Sequence, residues 1–426
     1  MTKPFTAADI LLPAAGTDLS RFAALACDQF TSEPAYWAEA ERIAEGVPST
    51  LHLTLPEAYL DAPDVGARMD TIHDTMRRYL DTVLTRRLHG FVYVERTTDS
   101  GTRQGLVGAV DLDAYSYDPA APALVRPSER TVPERIPPRL AVRRGAALET
   151  PHIMMLLDDA RKTIVEPLAE RYAGRECLYD IPLMLGGGTV RGWAVTDADE
   201  VAALENAIAA LGTPGAFAEK YPAAAGRAPF ALAVGDGNHS LACAKAYWEE
   251  LKPTILEPAR ANHPARYCLA EVVNLHSGAL TFAPIHRAVF GVPLPALLAD
   301  FTHFLAARGA SVTADGAGQV FTFFDGAHTE RRAVQNAPCA LAVETMENWL
   351  TAFLAETPAA RVDYIHDEES LRGIVRAQPG AVGIVMPPID KDNLLLGVAQ
   401  GGVLPKKAFS MGNAREKRYY LECRGL

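Results

Sequence analysis

The stretch Phe230-Ala231-Leu232-Ala233-Val234-Gly235-Asp236-Gly237-Asn238-His239-Ser240 runs from a wholly apolar segment into a turn of glycine and polar residues. A short apolar run closed by a glycine turn predicts a buried strand over Phe230–Val234. After Ser240, Leu241, Ala244, Trp248 and Leu251 recur on one helical face with Tyr247 beside it, which predicts a helix to Leu251. Asp236, Asn238, His239 and Ser240 therefore stand between a strand end and a helix start. This unit implies an α/β fold of mixed α+β sheets.

Upstream, Met69, Ile72, Met76, Leu80, Val83 and Leu88 mark one face of a helix expected over Gly66–His89, with Arg77, Arg78, Arg86 and Arg87 between them. Phe91–Glu95 and Leu106–Leu112 read as strands about Thr98-Asp99-Ser100-Gly101, a hairpin pattern. Ala120–Arg144, rich in proline and arginine, is expected as an extended surface loop. Ile153–Leu157 reads as a strand ending in Asp158-Asp159, Asp180–Val195 as a hairpin about Gly186-Gly187-Gly188, and Asp199–Leu211 as a helix. Past Ala288 the alternation restarts. Helices are expected over Leu294–Arg308, Glu344–Glu356 and Glu368–Arg376, and strands over Val320–Phe324, Arg361–His366 and Ala381–Met386. The division implied is an N-terminal α/β region, residues 1–290, carrying the turn, and a C-terminal α/β domain, residues 291–426.

With 426 residues, 49% of them hydrophobic, the chain has material for a large core and a natural expectation of two domains. A net charge of -11 excludes a general nucleic-acid or anionic-membrane binder, since such partners select surplus Lys and Arg. Met1–Leu12 lacks the pattern of a signal peptide, and no apolar run reaches the length of a membrane span. Cys27, Cys177, Cys243, Cys268, Cys339 and Cys423 are scattered singly, as free thiols in a reducing, cytoplasmic setting would be.

A helix N-terminus offers unpaired N–H groups and the positive end of the helix dipole, which suits phosphate. Gly235 and Gly237 let backbone come close, Asp236 is suited to hold Mg²⁺ or to cap, Asn238 and His239 to donate to phosphate oxygens, and Ser240 to cap or to bind the anion. The competing reading is a structural turn with Asp or Ser as the cap and His239 in the core. Without Gly-Lys-Ser/Thr the turn is not a P-loop, and without a third glycine it is not a dinucleotide fingerprint. Arg126, Arg130, Arg135, Arg139, Arg143 and Arg144 form either an anion clamp or a loop ion-paired to Glu129, Glu134 and Glu149. Asp158 and Asp159 at a strand end suit a metal, or are an ordinary loop start. Cys27-Asp28-Gln29 also follows an apolar run, with no nearby histidine to activate the thiol. Gly186-Gly187-Gly188-Thr189 reads as a hairpin turn, His286-Arg287 is weak evidence of a site, and Lys406 and Lys407 read as surface charge.

Several segments together resemble a bacterial and archaeal family known as domain of unknown function 1015. They are Ala26-Cys27-Asp28-Gln29-Phe30-Thr31-Ser32-Glu33-Pro34, Arg126-Pro127-Ser128-Glu129-Arg130-Thr131, Pro151-His152-Ile153-Met154 with Asp158-Asp159, and Gly235 to Ser240. Pro284-Ile285-His286-Arg287, Tyr364-Ile365-His366-Asp367, Met386-Pro387-Pro388 and the tail from Leu404-Pro405-Lys406-Lys407 to Tyr420 follow in order. The family's Asp-Gly-His-His-Arg segment is similar to the phosphate-binding turn of the ParB and sulfiredoxin superfamily, which includes CTP hydrolases and free serine kinases. That resemblance implies a ParB/sulfiredoxin-like nucleotide-binding core in which Asp236, Gly237, Asn238 and His239 face nucleotide phosphates bridged by Mg²⁺. The chain departs from the pattern at Asn238, in place of a histidine, and at Ser240, in place of an arginine. Loss of that arginine removes a bidentate phosphate contact unless Arg126, Arg130 or Lys245 replaces it. Of the family's Pro-Pro-Tyr-Asp segment only Asp28 is kept.

The function implied is a nucleotide-dependent phosphotransferase acting on a small hydroxylated metabolite such as serine, with ADP, ATP or CTP as the nucleotide. Asp28 or Glu33 would orient the attacking hydroxyl, by resemblance to the kinases, and His239 would act with them. Arg126 and Arg130 would supply positive charge, and Asp236 and Asp158 would hold the metal. A nucleotide-binding or nucleotide-hydrolysing switch is the first alternative, and a non-catalytic scaffold with a degenerate site the second.

Overall fold

Side chains alternate across strands, so a strand with two apolar faces needs cover on both. Phe91-Val92-Tyr93-Val94 is such a stretch, and a large mixed sheet forms around it. Its ten strands are β1 (Phe5–Thr6), β2 (Ala8–Leu12), β3 (Arg86–Thr98), β4 (Gly101–Asp111), β5 (Val125–Pro127), β6 (Met154–Leu157), β7 (Tyr179–Pro182), β8 (Thr189–Val195), β9 (Leu232–Asp236) and β10 (Tyr267–Asn274). Their order is β5-β9-β6-β10-β4-β3-β8-β7, with β1 on β4 and β2 on β3. Phe91 and Tyr93 pack with Leu106, Val110 and the helices α4 (Ala198–Leu211) and α5 (Asn238–Leu251). Val92 and Val94 pack with Val107 and Ala109 on the other face, beneath α1 (Pro34–Ala44) and α2 (Val65–Thr82).

The computed structural model describes residues 2–31, 33–131, 136–365, 367–404 and 408–426. They form two compact units, Met1–Leu280 with Gly412–Leu426, and Thr281–Met411. The second unit has a six-stranded sheet whose neighbouring strands are all antiparallel, in the order Ser311–Thr313, Thr329–Gln335, Gln319–Phe324, Val382–Val385, His286–Phe290 and Arg361–Ile365. Phe301, Phe321, Phe323, Trp349 and Phe353 are buried in its interior. Among the described residues no single helix is long and apolar enough to cross a membrane.

Two expectations differ from the structure. The helix expected to His89 stops at Thr82, and Arg86 already belongs to β3, because Leu88 sits in the alternation of a strand paired with β2. The segment Ala120–Arg144, expected to be extended, contains β5 and the helix α3 (Ile136–Arg143). Pro137 and Pro138 fall in its first turn, where backbone N–H groups have no intrahelical acceptor to lose.

The last residues return to the first unit. Ala24–Leu25 pairs with Tyr419–Tyr420, Leu148–Glu149 pairs with Arg424–Gly425, and Leu11 bridges Cys423. A buried ionic network fastens them. Arg96 and Arg103 stand directly opposite each other on β3 and β4, both buried. Arg96 donates to the carbonyl oxygens of Gly187, Arg415 and Lys417, and Arg103 to that of Glu416. Arg418 pairs with Glu271 on β10 and with Glu422, each at 2.5 Å. Gly105 makes room for this network, since a Cβ there would lie 2.2 Å from Glu271 Oε1.

Removing one member of such a network leaves an uncompensated buried charge. Arg418→Met is expected to lower unfolding free energy by roughly 3–5 kcal/mol, read by urea denaturation. A loss under about 1 kcal/mol, the range of an exposed pair, would show that the network does not hold the tail. Burial opposes ionisation of Glu271, but Arg418 and Arg103 outweigh it and hold the carboxyl below its usual range. A depressed folded-state pKa gives stability that is complete above the unfolded value of about 4.3 and is lost as pH falls through the folded value. The urea midpoint should therefore drop on acidification below about pH 4, and less steeply in Arg418→Met.

Candidate functional site

The turn forms as its glycines dictate. β9 extends through Asp236, Gly237 adopts φ +79°, and α5 begins at Asn238. A Cβ on Gly237 would approach Ile153 Cα to 3.1 Å and His152 Cδ2 to 3.3 Å, so the positive φ and the close approach both require glycine. Gly237, the N-cap of this 14-residue helix, has no side chain with which to cap its first turn. Its earliest N–H groups have no acceptor within the helix, and the positive end of its dipole lies at the same place.

Around the turn stand residues far apart in sequence. Ser240 Oγ lies 2.7 Å from His152 Nε2, His152 Nδ1 lies 2.9 Å from the Tyr420 hydroxyl, and the Cys27 backbone N–H donates to that hydroxyl at 3.0 Å. Imidazole has two chemically distinct nitrogens: in the tautomer with its proton on Nδ1, His152 donates to the Tyr420 oxygen and its Nε2 can accept the Ser240 proton. Lys417, almost fully buried, sits 3.2 Å from Asp236 Oδ2. Burial opposes ionisation of Asp28, but His152, the Gln29 amide and Lys417 hold its carboxyl below the usual range. Asp28 therefore presents an ionised oxygen at neutral pH. Burial pushes the Cys27 thiol up to about 12, so it is protonated and not a nucleophile.

Asn238 is buried at the first helical position, its Nδ2 3.5 Å from Ser128 Oγ and its Oδ1 buried without a hydrogen-bond partner among the described residues. His239 is half-buried in the same turn, and Gly235 packs against Leu156, whose Cγ would lie 2.8 Å from a Cβ there. Glu33 is exposed just before α1 and caps nothing.

Other residues expected at the site lie elsewhere. The Arg126 guanidinium donates to the carbonyl oxygens of Ala123 and Ala228 and covers the Phe230 ring at 5.2 Å, beyond the opposite end of β9 from the turn. Arg130 is exposed. Arg139, Arg143 and Arg144 pair with Glu57, Glu149 and Glu250, as ordinary loop and helix ion pairs do. Lys245 is engaged by Glu249 and the Leu112 carbonyl. Asp158 follows β6 and is held by Lys220, His276 and the Tyr221 hydroxyl. Asp236 pairs in register with Met154 at the start of β6, about 13 Å along the strand from Asp158 at roughly 3.3 Å per residue. The two carboxylates are thus not brought together. Asp159 caps the N–H groups of Thr163 and Ile164. His286 and Arg287 lie in the second unit, where Arg287, fully buried, pairs with Glu347. Arg135, Glu134, Ser32, His366, Lys406 and Lys407 lie outside the described residues.

Three residues at the turn carried no role in the sequence reading: His152, Lys417 and Tyr420. Each stands within a segment whose ordered occurrence carried the family resemblance, and that order was the only signal of them. Among the described residues no group of three His, Cys, Asp or Glu side chains is placed to hold a metal ion. Mg²⁺ is commonly held by one or two carboxylates together with phosphate oxygens, a demand Asp236 is able to meet.

Comparison with known proteins gives the chain a family. Among solved structures it is similar to a conserved hypothetical protein from Pyrococcus furiosus, at 9% identity over 72% of this chain and 90% of that one, with a TM-score of 0.33. It is similar to a free serine kinase in complex with AMP at 11% identity, over 73% and 89% of the two chains, with a TM-score of 0.34. SbnI with a C-terminal truncation, from Staphylococcus aureus, gives 11% identity over 72% and 83%, with a TM-score of 0.36. These are remote likenesses. No curated protein matches. The family model described as a protein of unknown function, DUF1015, matches residues 4–365, and the chain belongs to that family.

Proposed function

We propose that this protein binds a nucleotide with its phosphates at Gly237–Ser240 and transfers a phosphoryl group to a small hydroxylated metabolite. The observation that carries the reading is the placement of Lys417, a nearly buried ammonium 3.2 Å from Asp236, beside the glycine turn that opens α5. Phosphoryl transfer needs positioning, positive charge and a carboxylate to orient the attacking hydroxyl. The turn supplies the positioning and Lys417 the charge that the family's arginine would bring at Ser240. Asp28, ionised beside Lys417 and His152, is the carboxylate, and it acts on that hydroxyl through the His152 ring. Mg²⁺ would draw on Asp236 and neutralise charge on the phosphates. On this reading the sheet and α5 constitute the ParB/sulfiredoxin-like core that the turn resembles, and His239 lies against the nucleotide.

Thermal unfolding of the purified protein with ADP, ATP and CTP, each with and without Mg²⁺, tests the binding. At least one nucleotide should raise Tm. A charge-assisted hydrogen bond contributes roughly 1.5–3 kcal/mol, so Lys417→Met should weaken that nucleotide by about ten- to a hundredfold in calorimetric titration. Arg126→Met should destabilise the protein yet leave its nucleotide affinity within about twofold, since this guanidinium serves backbone carbonyls at the other end of β9. No shift with any nucleotide would sink the proposal.

A further inference from the structure

Beside the Ser240, His152 and Tyr420 chain opens a pocket of about 160 Å³. Those three side chains, with Thr54 and Thr150, form its uncharged polar wall, and much of the remainder is hydrocarbon from residues such as Leu53, Leu55, Met76, Leu148, Ile153 and Leu269. Cys27 and Cys243 also line it, and burial pushes their thiols up to about 12 and about 11, so both present neutral sulfur. Its charged groups are paired with one another, Arg139 with Glu57 and Arg143 with Glu149, with Arg143 Nε left as a buried donor without a hydrogen-bond partner among the described residues. Packed interiors hold few voids larger than a water molecule, so a space this large beside a hydrogen-bonded serine and histidine marks a place for a ligand. Apolar cavities of about 150 Å³ accept molecules the size of benzene.

We infer that this pocket holds the phosphoryl acceptor, and that the acceptor is a small alcohol with an aliphatic or alicyclic body, of about six to eight non-hydrogen atoms. The inference rests on the phosphotransferase reading and narrows its substrate. A free amino acid would bring an ammonium and a carboxylate to a hydrocarbon wall whose ions are already paired, and an alcohol brings neither. Its hydroxyl meets Ser240 Oγ. In the transfer the acceptor oxygen bonds to the terminal phosphorus of the nucleotide. The bond from that phosphorus to the bridging oxygen breaks, and its electron pair leaves with the shortened nucleotide. The acceptor proton passes to Ser240 Oγ as the serine proton passes to His152 Nε2.

The full-length protein is titrated with cyclohexanol, 3-methyl-1-butanol and L-serine, each with Tm as the readout. The two alcohols should raise Tm by roughly 2–4 °C at ten times their Kd, and L-serine should not. Lys417→Met should keep the alcohol response and lose the nucleotide response. Cys243→Leu, which fills the pocket, should do the opposite. Should Cys243→Leu fail to fold, xenon pressed into wild-type crystals should occupy the pocket, and a pocket empty of xenon would overturn the inference. An ADP response without an alcohol response overturns the inference and leaves the nucleotide reading standing. An alcohol response without any nucleotide response overturns the phosphotransferase reading and the acceptor role with it. With ATP and Mg²⁺, a bound alcohol should yield a phosphate monoester by phosphorus NMR. A bound alcohol that is neither phosphorylated nor inhibitory also overturns the acceptor role.

Discussion

Two arginines face each other on one side of the central sheet, and the first unit is arranged around satisfying them. Arg96 and Arg103 occupy paired positions on β3 and β4, buried, where like charges directly opposite destabilise a sheet. Burial and Arg103 both work against the charge on Arg96. What makes the pair tolerable is oxygen: carbonyls of Gly187, Arg415, Lys417 and Glu416, and the carboxylate of Glu271. Most of these oxygens belong to the chain's final residues, so that segment must lie across the sheet for the charges to be met.

That same segment equips the turn. With its carbonyl held by Arg96, Lys417 directs its ammonium to Asp236, and three residues later Tyr420 meets His152. The turn, β6, the Cys27-Asp28 segment and the tail thus converge from four separated parts of the chain. The buried ammonium beside the turn thus comes from another segment of the chain. Ser240 has a histidine, His152, as its own partner.

The sequence disclosed what depends on local pattern. Within Phe230–Leu251 the strand and the helix are both legible, because a buried strand leaves an unbroken apolar run and a half-buried helix a periodic one, but the strand lies two residues later than its apolar run, at Leu232–Asp236. The hairpins around Thr98–Gly101 and Gly186–Gly188 were legible from their turn residues. Where one pattern can serve two structures, the reading erred: Val83 and Leu88 extend a helical period, though Leu88 in fact alternates along β3. Thr329–Gln335 is a strand of mostly polar residues and shows no apolar run. The partners of single polar residues were not legible at all. Nothing local distinguishes Arg126, which props backbone carbonyls, from an arginine aimed at a ligand, and Lys417 has no periodic context. Such pairings are set by which strands lie side by side, and order along the chain does not encode that.

Because Gly412–Leu426 belongs to the first unit while Thr281–Met411 forms another, the first unit is discontinuous in the chain. On a ribosome, the sheet with Arg96 and Arg103 emerges well before the oxygens that satisfy them, and a second unit is made in the interval. Domains generally fold as they emerge, N-terminal first. Here the first unit cannot be completed until Gly412–Leu426 has followed the second unit out. Lys417 and Tyr420 therefore reach the turn only after the whole of Thr281–Met411 has been made, and a chain broken off within that stretch has the turn without either of them.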